Sequence, residues 1–544
     1  MNCSSYHFLK IPACESSSFV TVLQNSVINT SRILSSTTLN TPISKTTNTE
    51  LKNTGVMFTC PVNRLVNAYK QMYKHIESKP SFKDFYSHPN RVNLYSKLFT
   101  NMKLDSIGLI AIDTCVVKSL LLAEDWLDIE IGRFRYEAIT ARVNVDISAD
   151  DFNNITALHA ADIALFNEAK KIFVARWEQL INKKQCITHK NKKLVIHVGP
   201  PKTGTSAIQY WFKKNRESLI SEGILYPEHN LDGNNISSGN VDCLITNRTE
   251  SESAHYDHSK ARKVMQELND STADMLLLSS EHFFYYLPWL FAYLPNAEFI
   301  FYVRHPLSAL ESGYHQQVKR HKYTRPFAMP SKISFQQLDI LTKMAKEFSP
   351  KLLISYFDEK LFHNGSLIND FLHLLPKKSN ITANVERINS QYCHEAIELM
   401  RFCNHFASND LLARLDKFLQ EYSQSQPSFS YITKTDVNNF SSDMQHQAKL
   451  LAKQVPQLRL EKMMQIITNY APRENEAQHE ELDFSDIIAK LKSKDLLLVK
   501  KLIDEIDNKY ISEHFSIVEL LALTIKEKLL LKARKVFFLA FKSS

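Results

Sequence analysis

The chain alternates between short, almost wholly apolar runs and longer segments in which apolar residues recur every three or four positions. The runs KLVIHV (193–198), MLLLSS (275–280) and EFIFYV (298–303) predict buried strands. Helix-like sequence follows the first and third runs, as TSAIQYWFKKNRESLI (205–220) and PLSALESGYHQQ (306–317). The pattern therefore predicts strands that lead through turns into helices.

The pattern changes in two other parts of the chain. After Val455 it becomes helical, in FSDIIAKLKSKDLLLVKKLIDEIDNKY (484–510) and SIVELLALTIKEKLLLKARKVFFLAF (516–541). The second of these segments is basic and amphipathic, so it could contact acidic lipid at a membrane surface, although packing on its own domain is the interpretation we favour. In contrast, LSSTTLNTPISKTTNTELKNTG (34–55) is polar and predicts a mobile loop.

Composition restricts the class of protein. With 544 residues, two or three domains are expected, and 44% hydrophobic residues are enough for large cores. The net charge of +8 is small for this length and does not suggest a partner that is a nucleic acid. The eight cysteines are dispersed without metal-ligand spacing, which predicts reduced thiols and no metal site. Because we find neither a signal peptide nor an apolar stretch of about 20 residues, we expect a soluble, cytoplasmic protein.

The turn after the first strand has the composition of an anion site. It reads GPPKTGTS (199–206), and its glycines allow a ligand to approach the backbone closely. Strand, tight turn and helix together direct several backbone N–H groups to one point at the positive end of the helix dipole. The lysine precedes the second glycine, whereas in the ATP-type P-loop it follows that glycine, so no magnesium site is implied.

Two motifs together resemble a known family. GPPKTGTSAIQ (199–209) is similar to the 5′-phosphosulfate loop of sulfotransferases that use 3′-phosphoadenosine 5′-phosphosulfate (PAPS). FIFYVRHPLSALESGYHQQ (299–317) resembles the second signature of that family, since Ser312 stands eight residues after Arg304. Other segments between about Lys192 and Val455 resemble the bacterial, carbohydrate-type branch. The resemblance implies the sulfotransferase fold, which is an α/β fold with a P-loop-type parallel sheet flanked by helices and with ligands at the carboxyl ends of the strands. It also implies a PAPS donor without a metal, and a carbohydrate acceptor.

The resemblance also implies residue roles. Lys202 would place positive charge at the oxygen that bridges sulfur and the 5′-phosphate, and Arg304 with Ser312 would hold the 3′-phosphate. The 5′-phosphate would be held by the loop residues Thr203, Gly204, Thr205 and Ser206.

The acceptor hydroxyl also needs a base. Glu281, in SSEHF at the end of its strand, is the first candidate, because cytosolic relatives keep a catalytic histidine near this position. His282 is the second candidate. Glu228 and His229 in YPEHN are the third, because polysaccharide-sulfating relatives place a glutamate at about this distance after the loop.

The N-terminal part can be aligned with the two motifs as an internal repeat. YHFLKIPACESSSFVTVLQ (6–24) aligns with the loop at Pro12 and Pro201, and GVMFTCPVNRLVNAYKQMY (55–73) aligns with the arginine motif at Pro61 and Pro306. In this alignment Ala13 replaces Lys202, Glu15 replaces Gly204, Thr59 replaces Arg304, Asn67 replaces Ser312, and Ser16 and Ser17 stand opposite Thr205 and Ser206. Such a unit would be degenerate and should not bind PAPS.

The sequence thus predicts three domains: a degenerate sulfotransferase-like unit at 1–188, a catalytic domain at 192–455 and a helical extension at 456–544. The function expected from the resemblance is sulfuryl transfer from PAPS to a hydroxyl or amine. The alternative is a kinase-like P-loop protein that uses the same strand, loop and helix for another nucleotide. The residues alone do not identify the acceptor.

Overall fold

The structure is a computed structural model. It describes residues 4–11, 19–21, 23–24, 32–38, 51–76, 78–100, 102–129, 147–186, 192–229, 239–246, 254–376, 392–427, 429–472, 475–476, 482–506 and 515–522. The expectations for the loop at 12–18 and for the last basic segment beyond residue 522 lie outside these residues.

The N-terminal part contains a parallel four-stranded sheet. Its strands are β1 Ser4–Lys10, β2 Arg32–Thr38, β3 Thr54–Phe58 and β4 Leu109–Ile112, in the order β2-β1-β3-β4. Every residue of β3 and β4 is buried, as expected for strands that are covered on both faces. The accompanying helices are α1 Pro61–Met72, α2 Phe82–Ser87, α3 Leu94–Leu98, α4 Val116–Leu127, α5 Ala149–Leu158 and α6 Ala160–Lys184, with 3₁₀ turns at Leu104–Ser106 and Asp113–Cys115.

The central part contains a second sheet, of five strands in the order β11-β10-β5-β9-β6. The pairs β5–β10, β5–β9 and β6–β9 are parallel. The strands are β5 Lys193–His197, β6 Ile224–Leu225, β9 Met275–Ser279, β10 Glu298–Val303 and β11 Lys351–Tyr356; the two-residue strands β7 Ile245–Thr246 and β8 His255–Tyr256 form a separate pair. The α/β class with parallel sheets and flanking helices is therefore confirmed.

Helices alternate with these strands and continue to the end of the described chain. They are α7 Thr205–Lys214, α8 Arg216–Ser221, α9 His258–Asp270, α10 Leu287–Tyr293, α11 Pro306–Arg320, α12 Gln336–Phe348, α13 Leu367–Leu374, α14 His394–Cys403, α15 Asn409–Ser423, α16 Lys434–Gln454, α17 Leu460–Thr468, α18 Ser485–Glu505 and α19 Phe515–Leu521. The 3₁₀ turns are Val241–Cys243, Glu281–Tyr286, His363–Gly365 and Pro456–Leu458, and a short pair joins β12 Phe429–Ser430 with β13 Asn475–Glu476. The helical pattern read after Val455 is thus present in the described residues.

The two sheets share a strand order. Without the edge strand β6, the second sheet reads β9-β5-β10-β11, and in each sheet the four strands follow the order second, first, third, fourth along the chain. Both third strands lead into a helix that begins at a proline, and the residues before those prolines have nearly the same backbone angles: φ −50° and ψ 129° at Cys60, φ −56° and ψ 129° at His305. Thr59 directly follows β3, as Arg304 follows β10.

Contacts between Cα atoms divide the chain into two compact units. Unit 1 comprises Met1–Pro200, Gln209–Phe301 and Ile340–Leu353; unit 2 comprises Pro201–Ile208, Tyr302–Asp339 and Ile354–Ser544. The predicted domain boundaries at 188–192 and 455–456 are not tested by this division and stay predictions. The loop at 201–206 and the residues around Arg304 belong to the same unit.

Within unit 1, the N-terminal part packs on helices of the central part. The Trp289 indole N–H donates to the buried Glu124 carboxylate at 3.1 Å, and the Lys118 backbone N–H donates to Glu347 at 2.7 Å. The Trp177 ring meets the Phe348 ring edge-on, with centroids 5.9 Å apart. These contacts fix helices α10 and α12 of the central part against the N-terminal part.

Unit 2 has a helical core of its own. Buried residues of α14, α15 and α18 pack together with Tyr314 and Val318 of α11. Because α11 begins two residues after Arg304, this core fixes the helix that carries the arginine motif.

The loop predicted at 34–55 is wrong at both ends, and its middle, residues 39–50, lies outside the described residues. At its end, Thr54 and Gly55 belong to strand β3. Residues 32–38 form strand β2, which pairs with β1 over seven residues, from Ser4 opposite Arg32 to Lys10 opposite Thr38. The segment RILSSTT is rich in β-branched and hydroxyl residues, which an edge strand tolerates on its exposed face. Because the segment is not very hydrophobic, the sequence pattern does not predict this strand. No helix in the described ranges is long and apolar enough to cross a membrane.

The buried histidine of β5 predicts a pH-dependent stability. His197 is fully buried, its Nδ1 lies 2.8 Å from the Ser279 hydroxyl, and burial lowers its pKa to about 3. Since the unfolded chain takes up this proton near pH 6.5, stability should be greatest above that pH and fall toward pH 3, by about 1.4 kcal/mol per pH unit. Urea titrations at pH 7 and pH 5 should show this loss, and His197→Gln should reduce it by about 2 kcal/mol.

The exposed residue His321 provides the control. His321→Gln should leave the pH dependence as it is in the unmodified protein. An equal change in both variants would contradict the assignment to His197.

Candidate functional site

The loop after β5 turns sharply before α7 begins. Four of the five residues of β5 are buried, and the chain then passes through a cis Gly199–Pro200 bond. Gly199, Lys202 and Gly204 have positive φ angles of 85°, 74° and 76°. A positive φ is uncommon for a residue with a side chain, so the turn places Lys202 in a conformation that the surrounding structure must hold.

The second glycine is required by its neighbours. A Cβ atom on Gly204 would lie 2.3 Å from Leu367 Cδ2 and 2.9 Å from Phe357 Cε2, so no side chain fits there. Leu367 begins α13, and Phe357 follows β11, with its N–H donating to the Val303 carbonyl at 2.7 Å. The loop therefore lies directly against the elements that follow the last strand.

Asp370 fixes the helix that supplies Leu367. Its buried carboxylate accepts hydrogen bonds from the Tyr302 hydroxyl at 2.9 Å, the Ser355 hydroxyl at 2.7 Å and the His363 N–H at 3.0 Å. These donors come from β10, β11 and the turn before α13. A buried carboxylate with several donors holds its elements firmly, because removing any donor leaves buried charge unsatisfied.

Helix α7 begins directly after the glycine. The N–H groups of Ala207 and Ile208 donate to the Gly204 carbonyl at 3.1 and 3.2 Å. The N–H groups before them have no intrahelical acceptor, as at every helix N-terminus. Thr203 and Thr205 are buried, while Ser206 is half-buried. The backbone at 203–206 thus has the form that binds anions at helix N-termini.

Arg304 joins the loop to the second motif. Its Nη1 donates to the Lys202 carbonyl oxygen, 102 residues away in the chain. Its Nε and Nη2 donate to the Ser308 hydroxyl at 3.0 and 2.9 Å, and its guanidinium lies 5.0 Å from the centre of the Phe357 ring. The structure therefore brings Lys202 and Arg304, which were selected from the sequence separately, into one place.

Ser308 was missed in the sequence. It stands four residues after Arg304, at the start of α11, so one helical turn places its hydroxyl beside the guanidinium. Ser312, which the sequence predicted, is half-buried one turn further along the same face of the helix. The resemblance points only to the residue eight positions after Arg304, so it does not indicate Ser308.

His305 is a buried neutral neighbour of Arg304. Its ring stacks on Tyr470 with centroids 3.9 Å apart, and neither ring nitrogen has a hydrogen-bond partner in the described chain. Burial, and then the positive charge of Arg304, lower its pKa to about 3. Positive charge at this strand end is thus supplied by the arginine and not by the histidine.

Glu281 and His282 follow β9 directly, in the 3₁₀ turn Glu281–Tyr286. Both are half-buried; the Ser280 hydroxyl accepts from the His282 N–H at 3.2 Å, and the Ser280 N–H donates to the His197 carbonyl at 3.1 Å. They are therefore fixed at the carboxyl end of a strand. They belong to unit 1, so their relation to the loop stays a prediction.

Glu228 and His229 have different surroundings. The Glu228 side chain is 73% exposed and lies 3.5 Å from the Arg216 guanidinium. His229 is buried, with its Nε2 hydrogen-bonded to the Tyr226 hydroxyl at 3.2 Å. An exposed, ion-paired carboxylate and an enclosed histidine are weaker base candidates than Glu281 and His282.

The described residues contain no group of three or more histidine, cysteine, aspartate or glutamate side chains that could hold a metal ion. Comparison with protein-family models and with curated proteins gives no match. The geometry of the site is therefore what supports the function proposed below.

The packing of Leu367 and Phe357 against Gly204 predicts the effect of replacing this glycine by alanine. Gly204→Ala should destabilise the protein by about 1–3 kcal/mol and weaken anion binding, because the Cβ would displace Leu367 and Phe357 and favour a negative φ. The measurements are thermal denaturation and titration with adenosine 3′,5′-bisphosphate.

Gly313 supplies the matched control. It lies in α11, and a Cβ there would meet no atom within 4 Å. Gly313→Ala should stabilise the helix by about 0.5–1 kcal/mol. Equal behaviour of the two variants would show that the loop is not constrained as described.

Proposed function

We propose that the chain is a PAPS-dependent sulfotransferase that transfers a sulfuryl group to a hydroxyl or amine, with a carbohydrate as acceptor. The hydrogen bond from Arg304 to the Lys202 carbonyl is the observation that supports this function most strongly. This hydrogen bond brings together the lysine-containing loop and an arginine at the end of a neighbouring strand. A nucleotide with phosphates at both its 5′ and 3′ positions requires two such groups in one place.

The residues of the site fit such a donor. The loop at 203–206 would hold the 5′-phosphate through backbone N–H groups, and the packing of Leu367 and Phe357 against Gly204 would hold that backbone in place. Arg304, with Ser308 and Ser312 on one helix face, would hold the 3′-phosphate. PAPS, when bound, supplies the sulfuryl group.

Lys202 would act on the leaving group. Its positive charge would stabilise the negative charge that develops on the oxygen between sulfur and phosphorus. This stabilisation is larger in the transition state than in the ground state, so it lowers the activation free energy. Glu281, or His282 beside it, would accept the proton of the attacking hydroxyl. Both residues follow the strand that pairs with β5.

The N-terminal part would be a degenerate copy without a donor site. Its sheet has the same strand order, and at the position of Arg304 it has Thr59. There the buried Tyr95 hydroxyl donates to the Thr59 carbonyl at 2.6 Å and accepts from the Thr59 N–H at 3.2 Å. A tyrosine thus occupies the backbone groups of this strand end, which supports a structural role for the copy.

The proposal predicts a selective effect of Arg304 on nucleotide affinity. Arg304→Ala should weaken adenosine 3′,5′-bisphosphate binding by roughly 10–100-fold, since a hydrogen-bonded charge contributes about 1.5–3 kcal/mol. Binding of 5′-AMP, which has no 3′-phosphate, should weaken by a clearly smaller factor, because Arg304 affects the 5′-phosphate only through its hydrogen bond to the Lys202 carbonyl. Calorimetry with both nucleotides measures the difference.

Arg325→Ala removes one exposed positive charge from the same region and serves as the control. It should change neither affinity. If Arg304→Ala weakened both nucleotides equally, Arg304 would only support the loop, and the assignment of a 3′-phosphate would be wrong.

A further inference from the structure

Two buried amide side chains lie at the carboxyl end of β9, and they differ in their hydrogen bonding. Asn240 is fully buried and both of its amide atoms are paired: Oδ1 accepts from the Ser279 N–H at 2.6 Å, and Nδ2 donates to the Pro227 carbonyl at 3.0 Å. Gln209 is only 1% exposed, and among the described residues neither its Nε2 nor its Oε1 has a hydrogen-bond partner. Both residues belong to unit 1.

The side chain of Gln209 extends from α7 to the end of β9. A Cβ atom on Gly239 would lie 3.1 Å from Gln209 Nε2 and 1.7 Å from the Ser279 carbonyl oxygen, so the backbone of this glycine is close to both groups. Ser279 is the last residue of β9, and Glu281 and His282 follow in the next turn. The unpaired amide is therefore placed at the strand end that leads into the candidate bases.

An unpaired amide is costly in this position. A polar group that is buried without a hydrogen bond loses its hydration and gains nothing in return, whereas an apolar side chain of the same size has no such loss. Phe212, on the same helix, is apolar and fully buried. Because native proteins contain few buried polar groups without a partner, the side chain of Gln209 indicates a partner that is a ligand.

The amide restricts the chemistry of that ligand. Nε2 donates two hydrogens and Oε1 accepts, so the complementary group must both accept and donate. A hydroxyl group does both. A phosphate or a sulfuryl group only accepts, and it would leave Oε1 of Gln209 unpaired. The amide is therefore suited to a neutral hydroxyl compound and not to the charged groups of a nucleotide.

We propose that Gln209 binds a hydroxyl group of a carbohydrate, next to the group that reacts. The statement that this carbohydrate is the acceptor rests on the proposed function, in which Glu281 or His282 is the base. The binding of a sugar hydroxyl by Gln209 does not depend on sulfuryl transfer. A residue that holds a neighbouring hydroxyl determines which position of the sugar ring faces the base, so Gln209 would determine where the sugar is modified.

Thermal denaturation of the full-length protein without ligand tests whether the amide is unpaired. Gln209→Met should raise the Tm by at least about 2 °C, because it replaces an unpaired buried amide with an apolar side chain of similar shape. Asn240→Leu is the matched control and should lower the Tm, since it leaves the Ser279 N–H and the Pro227 carbonyl without their partner. A lowered or unchanged Tm in Gln209→Met would mean that the amide is already paired within the protein, and the proposal would be wrong.

Saturation-transfer NMR tests the ligand, with methyl β-D-glucopyranoside and methyl β-D-galactopyranoside as probes. At least one of the two glycosides should bind to the unmodified protein, and Gln209→Met should weaken that binding at least fivefold. Gln266→Met removes an exposed amide from α9 and should change neither the Tm nor the binding. If neither glycoside binds, or if Gln209→Met binds both as the unmodified protein does, the proposal is wrong.

Titration with adenosine 3′,5′-bisphosphate examines another partner for the amide. An adenine base also has a donor and an acceptor on one edge. Gln209→Met should bind the bisphosphate as tightly as the unmodified protein does. A clear loss of affinity would assign the amide to the base of the nucleotide and overturn the proposal.

The outcomes also separate this proposal from the proposed function. A protein that binds neither PAPS nor the bisphosphate, but in which Gln209→Met raises the Tm and weakens glycoside binding, would lose the sulfotransferase assignment and keep the hydroxyl site. A protein that binds the bisphosphate but is destabilised by Gln209→Met would keep the nucleotide site and lose the role of Gln209.

Discussion

The arrangement of the proposed site depends on the hydrogen bond from the Arg304 guanidinium to the Lys202 carbonyl. The carbonyl that it binds belongs to a residue with a positive φ, so the same contact stabilises the turn and places positive charge beside it. A loop with N–H groups directed at one point binds one anion. With an arginine fixed against it, the loop has a second group for negative charge beside it, and this supports the proposed nucleotide with two phosphate positions.

Packing maintains that arrangement from the opposite side. Leu367 and Phe357 leave room only for hydrogen at Gly204, and Asp370 fixes their elements through three hydrogen bonds. Phe357 also lies against the guanidinium of Arg304, so one aromatic ring contacts both motifs. The helical core at α14, α15 and α18 fixes α11. The C-terminal helices are therefore part of what positions the arginine.

Much of this could be predicted from local sequence. The strands at 193–198, 275–280 and 298–303 have strong apolar patterns, and the structure has each of them within one residue at both ends. The helix predicted at 205–220 is divided into α7 and α8, and the helix predicted at 306–317 extends to Arg320. Strand β2 was missed because an edge strand needs little hydrophobicity. The contacts of Gly204 with Leu367 and of Gly239 with Ser279 were not predictable, because they join residues distant in sequence, and no local pattern encodes such pairs.

The proposed ligand, PAPS, goes beyond what the fold establishes. A site that binds a 3′-phosphate distinguishes PAPS from ATP and ADP, because ATP and ADP have no 3′-phosphate. A loop that binds only the 5′-phosphate does not distinguish these nucleotides. Calorimetric titration of the unmodified protein with adenosine 3′,5′-bisphosphate and, separately, with ADP tests this directly. The account predicts that the bisphosphate binds at least about tenfold more tightly, as one additional charged contact of roughly 1.4 kcal/mol or more requires. Equal affinity for the two nucleotides would contradict it.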